Sequence, residues 1–135
     1  DIIKKVGGFD ITQKALQDWD CWLSIAKNEM IDYCEAPLTY YRVHSNSVSR
    51  SARKTIKYHI KLIDKIYGPS GVAFEFKKSK NKSLSRSYSI CSVISEQEND
   101  LLFSLKCAIS SLYYEPNSLR KLLRPLKLLL SYMRT

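Results

Sequence analysis

Hydrophobic positions in the first third of the chain follow a helical spacing. Apolar side chains recur every three to four residues between positions 18 and 29, which predicts an amphipathic helix. Asp18 stands where this helix would begin, and aspartate is a favoured N-cap residue. The pattern alone therefore interprets Asp18 as a helix cap, and Asp20 as a solvated or ion-paired side chain on another face.

Two segments with strand-like composition follow this helix. Residues 30–35 and 38–44 are predicted as short strands that are separated by an Ala-Pro break. Alternation along the second strand would place Tyr40, Arg42 and His44 on one face. Spacing by itself interprets Arg42 as a surface ion pair and His44 as a structural or exposed histidine.

After a polar loop at residues 45–49, helical spacing continues to the end of the chain. Helices are predicted over residues 51–67, 84–95 and 98–113, and again after Pro116. In the 98–113 helix we expect the core-facing positions to be Leu101, Leu102, Leu105, Ile109 and Leu112.

The last segment, residues 119–134, mixes leucines with basic side chains, and Pro125 is expected to kink it or split it. Two interpretations of its pattern stay open. A basic amphipathic helix is typical of segments that dock on an anionic membrane surface. The same pattern also suits a helix that packs on the preceding helical pair.

Paired glycines stand near the start of the chain. Gly7 and Gly8 both permit positive φ and a close backbone approach. They predict either a tight turn or a loop in which a ligand lies against bare backbone.

Composition and charge narrow the class of protein. The chain has 135 residues and a formal net charge of +9, and the charge is regional. Residues 1–49 carry five basic and seven acidic side chains, whereas residues 50–88 carry eleven basic and two acidic ones. This asymmetry favours a basic surface that faces an anionic partner.

Other features of the sequence bear on its location. No uncharged apolar run approaches the ~18–20 residues that span a bilayer. The four cysteines form no C-x-x-C pair, so a zinc site is not indicated and buried, reduced thiols in the cytoplasm are expected. The first residues lack the features of a signal peptide, and they suggest that the sequence begins within a fold.

Motif searches leave two classes of function. The sequence has no P-loop, no G-x-G-x-x-G, no G-x-S-x-G and no H-E-x-x-H. The first class is an enzyme in which Asp18 acts as a base while Arg42 and His44 hold a phosphate or metal. The alternative is a non-enzymatic basic helical module that binds nucleic acid or an anionic membrane surface.

Four motifs, taken in order, resemble a known family. They are Gly7-Gly8-Phe9-Asp10, Gln17-Asp18-Trp19-Asp20-Cys21-Trp22-Leu23, Glu35-Ala36-Pro37-Leu38, and Tyr40-Tyr41-Arg42-Val43-His44 followed by Ser45-Asn46-Ser47. Their order and spacing resemble the C-terminal half of a bacterial family 2 glycosyltransferase, over about residues 2–50. The resemblance implies an α/β chain: residues 1–50 as the C-terminal portion of a GT-A catalytic domain, and residues 51–135 as a mainly helical extension that makes this chain mostly α.

The resemblance also implies an activity. A sugar would pass from a nucleotide-diphosphate donor to a hydroxyl of a saccharide or lipid-linked acceptor, usually with inversion and with Mg²⁺ or Mn²⁺, in cell-surface polysaccharide or glycolipid synthesis. One carboxylate must deprotonate the acceptor hydroxyl, and this catalytic role maps onto Asp18. Gly7 and Gly8 would lie beside the donor sugar and acceptor.

The remaining site residues follow from the same resemblance. Trp19 and Asp20 would line the acceptor side. Arg42 would help to neutralise the diphosphate, because a guanidinium suits phosphate oxygens. His44 would be a metal or diphosphate ligand, and a neutral imidazole suits that role.

Two departures from the family pattern limit these expectations. Gln17 stands where the family usually has glutamate, and the metal-binding Asp-x-Asp motif with its nucleotide-binding half is expected N-terminal of this sequence. We therefore expect this chain alone neither to bind a nucleotide sugar tightly nor to turn over. The extension is expected to hold the enzyme at the inner membrane face, and no nucleic-acid partner is expected.

Overall fold

The structure is a computed structural model that describes residues 1–40, 42 and 51–133. The described part is built from six α-helices, and a short 3₁₀ helix over Phe74–Ser79 leads into the fourth. The α-helices are α1 (Ile2–Lys5), α2 (Gln17–Ala26), α3 (Ala52–Tyr67), α4 (Lys80–Gln97), α5 (Leu101–Tyr114) and α6 (Leu119–Tyr132). The helices predicted from spacing are thus confirmed to within a few residues at their ends.

The predicted α/β fold is wrong for the described part of the chain. Residues 30–40 and 42 contain no strand, and their side chains are exposed. An extended segment becomes a strand only when a neighbouring segment accepts and donates its backbone hydrogen bonds, and the described residues supply no such neighbour. The structure is a small helical domain, in which the strand-like composition of these residues has no pairing partner.

The core lies where α3, α4 and α5 meet. Ala52, Cys91 and Cys107 are buried together, one from each of these helices, and Tyr88 and Phe103 pack against them. Burial raises the pKa of the Cys91 and Cys107 thiols from 9.0 to about 11, which keeps them protonated and unreactive near neutral pH. All four cysteines are free, and Cys34 is exposed, contrary to the prediction of four buried thiols.

Helices α4 and α5 form a hairpin whose interface is made of small side chains. The hydroxyl of Ser85 donates to the carbonyl of Ser111 at 2.6 Å, and the hydroxyl of Ser111 donates back to the carbonyl of Ser85 at 2.8 Å. Two helical turns further along the hairpin, the hydroxyl of Ser104 donates to the carbonyl of Ser92 at 2.8 Å. These paired bonds satisfy the hydroxyls of Ser85, Ser104 and Ser111 and let the two helices approach closely.

The predicted core face of α5 is partly wrong. Leu102 and Ile109 are exposed, whereas Ser104, Cys107 and Ala108 are buried. The serine and cysteine side of α5 packs on α4 because hydroxyls satisfied across the hairpin cost little to bury. Leu101, Leu105 and Leu112 are half-buried, so the predicted stripe lies at the edge of the interface and not at its centre.

The turn between α3 and the 3₁₀ helix needs a glycine. A Cβ atom at Gly71 would collide with the backbone carbonyl of Ile66. The amide of Ala73 donates to that same carbonyl at 2.8 Å, which holds the turn against the end of α3. The glycine thus allows the close approach from which α4 starts.

Helix α6 is continuous across Pro125, so the proline does not split it. Pro125 and Leu128 are buried against the other helices. Among the described residues, none of the helices has the length and hydropathy that crossing a bilayer requires.

Candidate functional site

The paired glycines end helix α1. The amide of Gly8 donates to the carbonyl of Ile3 at 2.9 Å, and the amide of Gly7 donates to the carbonyl of Lys4 at 3.1 Å. This pair of bonds is the Schellman motif, and both glycines have positive φ, 87° and 73°. Added Cβ atoms would meet nothing within 4 Å, so the loop is open. The predicted turn is confirmed, and bare backbone is accessible beside it.

Asp18 lies inside the first turn of α2 and is not its cap. The cap position is Leu16, which adopts a left-handed conformation with φ 62°, and the amide of Asp20 donates to its carbonyl at 3.0 Å. The Asp18 side chain is exposed and forms no hydrogen bond or ion pair with any described residue. The positive end of the helix dipole lies at this turn and favours a carboxylate there.

Asp20, in the same turn, is arranged differently. Its side chain is buried, and Lys65 of α3 donates to its carboxylate at 2.7 Å. The helix rotation of about 200° between Asp18 and Asp20 turns the two carboxylates to opposite sides. One carboxylate thus anchors α2 to the bundle and the other is presented to solvent.

Further polar contacts attach the N-terminal segment to α3. The side-chain amide of Gln13 donates to the carbonyl of Tyr58 at 3.1 Å, and Lys61 donates to the hydroxyl of Thr12 at 2.7 Å. Lys61 also lies 3.9 Å from the carboxylate of Asp10. Hydrogen bonds from Thr12 lower the pKa of Asp10, and Lys61 adds to the effect. The lysines of α3 therefore set the position of the segment that carries Asp18.

Two tryptophans share the surface of α2 with Asp18. Trp19 is 57% exposed and Trp22 is 56% exposed. Trp22 follows Asp18 by four residues, so the two side chains project from the same side of the helix. Trp22 belongs to the apolar spacing predicted for residues 18–29, and its i+4 spacing from Asp18 is the signal that places it beside that carboxylate.

No described contact places Arg42 at the surface around Asp18. Arg42 is exposed. His44 lies outside the described residues, so the prediction that it binds metal or diphosphate has no structural test. Within the described ranges, no group of three His, Cys, Asp or Glu side chains could hold a metal ion. Mg²⁺ or Mn²⁺ therefore remains an expectation of the resemblance.

A second candidate site is a basic groove between α4 and α6, which the sequence did not predict. Its volume is about 630 Å³. Its charged lining consists of six cations and one carboxylate: Lys82, Arg86, Arg120, Lys121, Arg124, Lys127 and Glu115. The available signal was the recurrence of cations at three- to four-residue spacing in both helical segments.

Two of the groove cations are fixed by partners. Lys121 donates to the carboxylate of Glu115 and to the hydroxyl of Ser85, and this contact lowers the pKa of Glu115. Arg124 donates to Glu96 and to the hydroxyl of Ser92, both at 2.8 Å.

The other four groove cations, Lys82, Arg86, Arg120 and Lys127, form no ion pair within the described part of the chain. Since a single carboxylate lines the groove, the field inside it is positive and attracts anions.

Comparison with protein-family models, curated proteins and solved structures finds no match for this chain. The resemblance to family 2 glycosyltransferases is therefore neither supported nor opposed by a known relative.

Proposed function

We propose that this chain contributes the acceptor-activating part of a glycosyltransferase site, with Asp18 as the catalytic base. The observation that carries the proposal is the difference between the environments of two carboxylates in one helical turn. Lys65 holds the buried Asp20 carboxylate, whereas Asp18 is exposed beside two exposed tryptophans. The order of motifs over residues 2–50 gives the reaction class.

The surface around Asp18 suits a saccharide. A sugar ring has an apolar face of C–H groups and a rim of hydroxyls, so an exposed indole beside a carboxylate can hold both. Trp22 lies one helical turn from Asp18 on the same side of α2, and Trp19 adds a second aromatic surface. The open backbone at Gly7 and Gly8 leaves room for a ligand to approach without side-chain obstruction.

The proposed step is a displacement at the anomeric carbon of the donor. Asp18 accepts the proton of the acceptor hydroxyl as its oxygen forms a bond to that carbon. The bond from the carbon to the diphosphate oxygen breaks, and the electron pair leaves with the nucleoside diphosphate. Arg42 is placed in this proposal against the developing negative charge. A divalent cation bound with the donor would supply further charge neutralisation.

The experiment measures nucleoside diphosphate release by the full-length protein with a panel of UDP-, GDP- and dTDP-sugars and saccharide acceptors. We expect Asp18→Asn to lower kcat by at least about a hundredfold, because general-base catalysis contributes roughly 10²–10⁴. The KM for the donor should stay within about threefold. Glu29→Gln, which neutralises an exposed carboxylate outside the site, is the matched control and should match the parent.

A second variant separates binding from chemistry. Trp22→Ala should raise the KM for the acceptor by about tenfold with a smaller change in kcat, and Trp22→Phe should recover part of the loss. Equal turnover by Asp18→Asn and the parent would refute the base assignment. Absence of diphosphate release from every donor would refute the reaction class.

A further inference from the structure

Helix α6 carries two apolar faces, and only one of them is buried. Pro125 and Leu128 pack against the bundle, and Leu128 is 2% exposed. The leucines on the opposite side are exposed, with Leu126 at 54%. At about 100° per residue they form one stripe. The stripe consists of Leu119, Leu122, Leu123, Leu126, Leu129 and Leu130, and we call it the leucine stripe.

The groove cations of α6 lie directly beside the leucine stripe. Counting about 100° per residue, Arg120, Arg124 and Lys127 form a row between the leucine stripe and the buried face. Leu123 belongs to the stripe and also lines the groove, so the two surfaces are continuous. Arg86 faces the same groove from α4. An apolar surface thus adjoins a groove that is lined by more cations than carboxylates.

We propose that the leucine stripe and the basic groove together form a docking surface for an anionic phospholipid bilayer. The stripe would enter the boundary between headgroups and acyl chains, as interfacial amphipathic helices do. The groove would receive lipid phosphate groups, to which guanidinium groups can donate paired hydrogen bonds.

Charge and exposure together favour a bilayer over the other anionic partners. A nucleic acid would use the cations but would leave the leucine stripe in water. A soluble phosphate would likewise occupy the groove alone. Of these three partners, the anionic lipid surface covers both parts at once, because it presents phosphates above an apolar layer. The inference uses α4 and α6 only, so it stands independently of the proposed sugar transfer.

Vesicle co-sedimentation of the full chain tests this surface. We expect binding to phosphatidylcholine vesicles that contain phosphatidylglycerol, and at least about tenfold weaker binding to phosphatidylcholine alone. Binding should also weaken strongly between low and high salt, because salt screens the exposed cations. No binding to the anionic vesicles, or equal binding to both kinds, would overturn the proposal.

Paired variants locate the surface. The double variants Leu126→Ser with Leu130→Ser, and Arg120→Glu with Lys127→Glu, should each weaken binding by about tenfold or more. The matched controls are Leu102→Ser with Ile109→Ser, two exposed apolar residues of α5, and Lys54→Glu with Lys78→Glu, two exposed cations outside the groove. Both should bind like the parent. Circular dichroism of each variant checks that the helices remain. Controls that lose as much binding as the docking variants would contradict the assignment.

Two competition experiments test whether the groove binds a lipid phosphate, a soluble phosphate or a nucleic acid. Glycerol 3-phosphate at millimolar concentration should leave vesicle binding nearly unchanged; displacement from the vesicles would indicate a site for a soluble phosphate and overturn the bilayer proposal. Single-stranded DNA should bind more weakly than the anionic vesicles. If the chain bound single-stranded DNA more tightly than the anionic vesicles, and the Leu126→Ser, Leu130→Ser variant kept that DNA binding, the groove would be a nucleic-acid site instead.

Discussion

The segment up to Arg42 and the helices from Ala52 onward are held together by different physical means. The helices share a core of small side chains in which buried serine hydroxyls bond across α4 and α5. The N-terminal segment buries few residues, and its links to α3 include the Lys65–Asp20 pair and hydrogen bonds of Gln13 and Thr12. We therefore expect the packing of the bundle to depend little on the N-terminal segment, whereas the position of the segment depends on α3.

The two regions also divide the chemistry. The N-terminal segment is acidic and presents a carboxylate beside exposed indoles, whereas the helices gather uncompensated cations along one groove. A carboxylate suits proton transfer, and a basic groove suits an anion. The comparison implies that substitutions in one region should leave the function of the other intact.

The largest effect is expected in the bundle. Ser104→Leu places a large side chain in the α4–α5 interface, where Ser104 is fully buried and bonded to Ser92. Overpacking of this kind costs about 1–3 kcal/mol in the free energy of unfolding, in addition to the lost hydrogen bond. Urea denaturation measures the change. Ser110→Leu, on a more exposed side of α5, is the control; an equal loss there would show that the interface is not tightly packed.

A smaller and more local effect is expected where the two regions meet. Lys65→Met leaves the buried Asp20 carboxylate without its cation, at a cost of about 1–2 kcal/mol once the half-exposed position of Lys65 is taken into account. Amide hydrogen exchange should quicken in α2 but not in α4 or α5.

Two variants test whether the Lys65 effect belongs to the ion pair. Lys54→Met removes an exposed lysine of the same helix and should leave exchange in α2 unchanged. Adding Asp20→Asn to Lys65→Met should recover part of the loss, because no buried charge then remains. Faster exchange throughout the bundle would contradict the separation of the two regions.

The smallest effect concerns pH. Burial lowers the pKa of His59, whose Nδ1 lies 3.2 Å from the hydroxyl of Ser87. Its contribution to stability is complete above the ordinary pKa of 6.5 and is lost as the pH falls through the lower, folded-state value, because the unfolded chain takes up the proton first. The melting temperature should therefore fall between about pH 7.5 and about pH 5.5. His59→Gln should flatten this dependence, and an unchanged dependence would refute the assignment.

Local signals in the sequence sufficed for several elements. Apolar spacing predicted the helices, and the glycine pair permitted the positive φ of the turn that the structure shows. These succeeded because helix periodicity and glycine conformation act over a few residues.

Other predictions failed where a distant partner decided the outcome. Residues 30–40 have strand composition, but strands form by pairing, and no described segment pairs with them. The leucines of α5 were assigned to the core, yet Leu102 is exposed because serine hydroxyls on the other side find partners on α4. The sequence did not predict the basic groove, because its cations come from segments more than thirty residues apart.

The sequence by itself determined the helices, the regional charge and the set of residue types from which sugar-transfer chemistry is proposed. Only the tertiary structure decided which of two carboxylates in one turn is exposed, since Lys65 of α3 draws Asp20 inward and leaves Asp18 outside. It likewise decided which apolar face of α6 is buried and which adjoins the basic groove. Periodicity shows that a helix has a face, but what covers that face depends on residues far away in the chain.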